Sequence, residues 1–151
     1  MVHSKKTDEL IICKIYSNDC RHCIDLIPIW DEMKTNISKK MKHMRLQLPT
    51  YLEIEAGNME KLTQFNNENR ERLHQDVTYD GFPTCVKIYK NKIEYYQGER
   101  DAISMENWYM KEIYTKYHIP PFGHKKTFKH KQLGGSTRKR KHRHRPSRRK
   151  K

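Results

Sequence analysis

Two cysteines separated by two residues, in the run Cys20-Arg21-His22-Cys23, are the residues of this chain best placed to do chemistry. A Cys-x-x-Cys pair can form a redox dithiol or half of a zinc site. Zinc needs a second Cys/His pair at ligand spacing. The other two cysteines, Cys13 and Cys85, stand singly in strand-like runs and read as small buried hydrophobes. The redox reading has a positive argument. Cys20 falls where a strand-like run, Leu10–Tyr16, gives way through Ser17-Asn18-Asp19 to helical periodicity. A thiol at a helix start meets free backbone N–H groups and the positive end of the helix dipole, and both favour thiolate. The thiolate is the attacking species in disulfide exchange. Cys23, one turn on, is placed to resolve a mixed disulfide. Arg21 and His22 add positive or polarisable charge beside Cys20, and Asp19 opposes them.

The elements that must position this pair follow from the pattern of apolar residues. Leu26, Trp30, Met33, Ile37, Met41 and Met44 recur at spacings of four and three, so a helix from Cys20 presents one apolar stripe, with Pro28 expected to kink it. Tyr51–Glu55 alternates and predicts a strand, ended by Gly57-Asn58, and Met59–His74 predicts a polar helix with Leu62, Phe65 and Leu73 on its weak apolar face. Thr84–Tyr89 and Lys92–Gln97 predict a hairpin turning at Asn91-Lys92. Ser104 is expected to cap a last helix through Tyr117, with Trp108, Met110, Ile113 and Tyr117 inward, before Pro120-Pro121 and Gly123. The order β-α-β-α-β-β-α predicts an α/β fold, a mixed four-stranded sheet flanked by helices.

Several features together make the chain resemble thioredoxin-like proteins, and among them the catalytic domains of protein disulfide isomerases, over about residues 10–117. A buried strand runs into Cys20-Arg21-His22-Cys23, and Pro28 stands five residues after the second cysteine. Gly81-Phe82-Pro83-Thr84 is similar to the family's cis-proline loop, and Tyr96-Gln97-Gly98-Glu99-Arg100 to the isomerase Tyr-x-Gly-x-Arg. The resemblance implies a thioredoxin-like fold trimmed at its N-terminal side. It implies a cis bond before Pro83, with Phe82 offering backbone to an extended substrate and Pro83 shielding the sulfurs. It implies thiol–disulfide oxidoreductase activity of the isomerase or oxidase kind, without a cofactor or metal, on protein thiols and disulfides. Two positions depart from the family: Asp19 replaces the usual aromatic residue, and Lys14 replaces a buried acid six residues before the first cysteine. Lys14 would stand in for that acid if desolvated; the favoured expectation is that it snorkels to solvent. Cys13 and Cys85 are expected on neighbouring strands as a buried, inert pair.

Charge divides the chain of 151 residues. Residues 124–151 hold 14 Lys/Arg and no acid, which leaves 18 Lys/Arg against 18 Asp/Glu in residues 1–123, so the net charge of +14 belongs to the tail. This dilution also explains the low hydrophobic share of 34%. The expected organisation is an N-terminal segment (1–9), a thioredoxin-like domain (10–119) and a disordered basic tail (120–151). Such a tail suits nucleic acid or another polyanion, or a nuclear address. The competing reading is a nucleic-acid-associated structural protein with a vestigial dithiol on a thioredoxin scaffold. No secretory signal, membrane span or ER-retention tetrapeptide is legible. The expectation is a monomer with no membrane partner, in cytoplasm, nucleus or a virus particle.

Overall fold

The computed structural model describes residues 8–120; the basic run from 124 onward and most of the N-terminal segment lie outside the described residues. The element order is β1 (Ile11–Tyr16), α1 (Arg21–His43), β2 (Thr50–Glu55), a 3₁₀ turn (Ala56–Asn58), α2 (Glu60–Leu73), β3 (Thr84–Tyr89), β4 (Lys92–Tyr95), α3 (Ala102–Tyr109) and α4 (Lys111–Lys116). The sheet runs β2-β1-β3-β4, with β1 parallel to β2 and antiparallel to β3, and β4 antiparallel to β3. This is the mixed four-stranded sheet that the sequence predicts.

Period-two alternation divides the strands between two cores. Leu10, Ile12, Cys85 and Tyr89 pack with Leu26, Trp30, Met33, Ile37 and Met41 of α1 and with Met105, Tyr109 and Ile113 of α3 and α4. Ile11, Cys13, Ile15, Ile54, Val86 and Ile88 pack with Leu62 and Leu73 of α2 and with Val77. Because β1 is covered on both faces, it reads as a continuous apolar run. Burying this much apolar surface at about 25 cal/mol per Å2 is the main force holding the sheet between its helices.

Four local expectations are corrected. Helix α3 is capped by Asp101, not Ser104: the Asp101 carboxylate accepts from the Ser104 amide at 2.8 Å and from the Ser104 hydroxyl at 2.7 Å. Asp has two acceptor oxygens to serve both donors, so the helix starts three residues earlier. The last helical stretch is split at Met110 into α3 and α4, and Tyr117 is exposed instead of inward, whereas half-buried Trp108 packs against the core as expected. The hairpin turns on Lys90-Asn91, both at positive φ (49° and 62°), so Lys92 already pairs with Tyr89. Positive φ at both central residues gives the twist that matches a two-residue hairpin. Finally, Lys14 does not reach solvent. It is 6% exposed, with its ammonium 3.3 Å from Glu53 and over the rings of Tyr16 and Trp30.

Candidate active site

Strand β1 ends at Tyr16, and the Ser17–Asp19 link delivers Cys20 to the N-cap of α1 in an extended conformation (φ −91°, ψ 122°). The chain cannot begin a helix without leaving its first amides free. One of them, the Cys23 N–H, donates to the Cys20 sulfur at 3.3 Å. Cys20 is half-buried, Cys23 is buried, and both are free thiols.

The two thiols are pushed in opposite directions. The Cys20 thiol is held below its ordinary value, first by a hydrogen bond from the Cys23 thiol, against the opposing effect of burial, and further by the backbone N–H groups of Cys23 and His22 and the Arg100 cation. The Cys23 thiol is raised, first by burial and then by its hydrogen bond to Cys20. The outer sulfur is therefore the one disposed to ionise, and the inner one holds its proton.

The 81–84 loop closes over the outer sulfur. The Phe82–Pro83 peptide bond is cis, and the Cys20 thiol donates to the Phe82 carbonyl at 3.6 Å. Gly81 has φ +119°, a backbone conformation that only glycine enters freely. The Thr84 hydroxyl donates to the Gly81 carbonyl at 2.8 Å and holds the loop shut. Phe82 thus stands beside Cys20, with Pro83 next to it in the loop.

Arg21 and His22 are placed differently from the way the sequence suggests. Arg21 is exposed, and its guanidinium pairs along the helix with Asp25 at 3.3 Å. His22 is also exposed, and it reaches Cys20 through its backbone N–H. A cation that bears on the site through space is Arg100, a smaller contribution that favours the thiolates of Cys20, Cys23 and Cys85 without reversing the upward shift of the last two. Its signal in the sequence was the Tyr-x-Gly-x-Arg run. Gly98 makes room there: a Cβ on it would lie 2.7 Å from the Tyr96 hydroxyl, which donates to the Glu99 carbonyl.

Chains whose overall shape can be matched to this one are known. The chain superposes on the human ERp44 zinc-bound form with a TM-score of 0.50 and 13% identity, over 70% of this chain and 27% of that one. It superposes on full-length ERdj5 at 0.50 and 19%, over 70% and 13%, and on the first two thioredoxin domains of Naumovozyma dairenensis Eps1p at 0.50 and 16%, over 73% and 37%. The fold is thioredoxin-like. The chain spans well under half the length of these solved chains. No known family's sequence pattern and no curated protein matches it.

In this thioredoxin-like unit, Cys13 and Cys85 are on paired strands but on opposite faces of the sheet, one in each core. Their side chains point apart, so they cannot bridge without backbone movement. Burial is the leading cause that pushes Cys13 up to about 12 and Cys85 up to about 11. Both are protonated and poor nucleophiles at neutral pH. Among the described residues, no group of three or more His, Cys, Asp or Glu is arranged to hold a metal ion.

Proposed function

We propose that the chain is a thiol–disulfide oxidoreductase acting on proteins, in the manner of a disulfide isomerase or oxidase. The observation that carries this is the opposed pair: an accessible Cys20 favoured as thiolate at a helix N-cap, and a buried Cys23 favoured as thiol one turn on. In the reductive direction the Cys20 thiolate attacks one sulfur of a substrate disulfide. A Cys20–substrate bond forms, the substrate S–S bond breaks, and the second substrate sulfur leaves as thiolate. Cys23 gives up its proton and attacks the Cys20 sulfur, releasing the first substrate thiol and leaving a Cys20–Cys23 disulfide. Run backwards, the same steps oxidise a substrate dithiol; stopped at the mixed disulfide, they permit isomerisation. Phe82 would offer its backbone to the extended substrate and Pro83 would keep other groups from the sulfurs. Stabilising the Cys20 thiolate stabilises the reduced form and makes the disulfide a stronger oxidant.

The test is insulin reduction and refolding of a scrambled disulfide protein. Cys20→Ser abolishes both, and Cys23→Ser accumulates the mixed disulfide; full activity in Cys20→Ser would refute the mechanism. The equilibrium potential of the pair against glutathione sets the direction: about −270 mV, the thioredoxin value, for a reductant, and about −180 mV, the protein disulfide isomerase value, for an oxidant or isomerase.

The basic run of residues 124–151 supports a second element of the reading: attachment to nucleic acid or another polyanion, or delivery to a nucleus. That would place the dithiol in cytoplasm, nucleus or a virus particle. Deleting 124–151 separates this from a purely structural role. Exchange survives the deletion if the dithiol is the active part, and salt-sensitive polyanion binding goes with the tail.

A further inference from the structure

The loop that covers Cys20 has a second side. Tyr79 stacks on Phe82, with ring centroids 5.4 Å apart and planes inclined by 20°. Beside this stack an open cleft of about 390 Å3 runs between residues 78–80, the start of β3 and the end of β4. Tyr79, Tyr95 and Tyr96 line it with aromatic surface, and Asp80 is its charged side chain. Thr84 and Cys85, the two residues that follow Pro83, also line it. The cleft therefore starts two residues along the chain from the Phe82 carbonyl that meets Cys20. Its wall is held by the Tyr95 hydroxyl, which accepts from the Thr78 amide at 3.0 Å. Tyr79 and Tyr95 remain 43% and 38% exposed, and Ile24 and Ile27, just beyond Cys23 on α1, are about half exposed. Large apolar side chains left in water around a reactive sulfur mark an interaction surface.

We infer that this cleft is a side-chain subsite for the protein substrate. It takes a large aromatic residue from an extended segment whose cysteine is being exchanged at Cys20, with a basic neighbour against Asp80. The inference rests on the oxidoreductase reading above. The occupant follows from three observations. The cleft is lined by the residues that follow the Phe82–Pro83 pair, so its ligand is the polypeptide proposed to lie against Phe82. Its volume suits one or two side chains and not a folded domain. Its aromatic walls and single carboxylate complement an aromatic side chain and a cation. The cleft starts at Thr84, two residues past Phe82, so an extended segment running along the loop places the aromatic residue about two to four residues from the cysteine.

The experiment uses the full chain and matched disulfide peptides, read as kcat/KM. One pair carries Phe or Ala three residues from the cysteine; a second carries Lys or Glu next to that Phe. Hydroxyethyl disulfide, too small to reach the cleft, reports the exchange reaction by itself. The Phe peptide reacts roughly tenfold faster than the Ala peptide, the size of one well-buried anchor, and Lys is preferred to Glu. In Tyr79→Ala the Phe/Ala ratio falls to about one-third or less of its wild-type value, and in Asp80→Lys the Lys/Glu preference inverts. Each ratio is taken within one variant, so a change in overall activity divides out. Equal rates for Phe and Ala peptides in the wild-type chain, with hydroxyethyl disulfide turned over, overturn the subsite. No exchange with any disulfide overturns the oxidoreductase reading, and the subsite with it.

Discussion

Lys14 and Glu53 face each other across β1 and β2, and their pairing yields a quantitative test. Glu53 bridges two cations: its Oε1 is 3.3 Å from the Lys14 ammonium and its Oε2 is 2.8 Å from that of Lys34. Lys14 is buried, whereas Lys34 and Glu53 are each about one-third exposed. At 3.3 Å and an effective dielectric of about 20, the Lys14–Glu53 attraction is about 5 kcal/mol before desolvation is subtracted. Desolvating Lys14 and the solvent screening of Glu53 bring the net down to about 1–3 kcal/mol. Glu53→Gln strands the Lys14 charge in the core while Lys34 can turn to water. It should therefore cost about 1–3 kcal/mol, or about 1 M in the urea midpoint measured with the dithiol reduced. Lys14→Met should cost less, because Glu53 keeps Lys34. The double variant Lys14→Met/Glu53→Gln should recover much of the Glu53→Gln loss, since no buried charge is left unpaired. Acid supplies a second check. Burial raises the Glu53 carboxyl, but the two lysines more than offset this and hold it below its ordinary value. The stabilisation is therefore complete above the unfolded carboxylate value and is lost as pH falls through the lower folded value, so the gap between wild type and Glu53→Gln closes in acid. Wild-type stability in Glu53→Gln at pH 7, additive losses in the double variant, or a gap that does not change with pH would each refute the reasoning.

Other outcomes follow from the same geometry. Cys23→Ala removes the thiol that bonds to Cys20, so the Cys20 titration followed by thiolate absorbance should move up towards an ordinary thiol, with Cys23→Ser, which keeps an O–H donor, moving it less. Alkylation of the native chain at neutral pH, read by mass spectrometry, should modify Cys20 first, and Cys13 and Cys85 only when the chain unfolds. Asp101→Ala should cost about 1 kcal/mol in urea unfolding through loss of the α3 cap, and Ser104→Ala clearly less.

Much of the fold was legible because its signals are local. The apolar run of β1 reflects burial on both faces, the stripe from Leu26 to Met41 reflects one face of a 3.6-residue helix, and the paired strands β3 and β4 are two runs separated by a tight turn. The boundaries that were missed depended on competition between neighbours. Asp101 outbid Ser104 as a cap, and Lys90 took up the left-handed conformation that moved the turn by one residue. At the site, the spacing of Cys20 and Cys23 and the strand-to-helix junction before them showed which sulfur sits at the helix end. That junction is a property of consecutive residues.

What sequence could not rank was charge acting through space. Arg21 is adjacent to Cys20 in the chain but pairs with Asp25 one turn along the helix, while Arg100, 80 positions away, bears on the dithiol. Lys14 looked like a lysine bound for solvent until the parallel β1–β2 register set Glu53 opposite it. Cys13 and Cys85 looked like neighbours until the pleat put them on opposite faces. The sequence determined the spacing of Cys20 and Cys23 and the elements that carry them, because periodicity and spacing are written along the chain. The tuning of the pair starts in the same turn of chain, with the Cys23 thiol and the Cys23 and His22 amides. Only the tertiary structure decided what is added to it (burial, the Phe82 carbonyl and the Arg100 cation), because such partners are chosen by distance in the fold and not by distance in sequence.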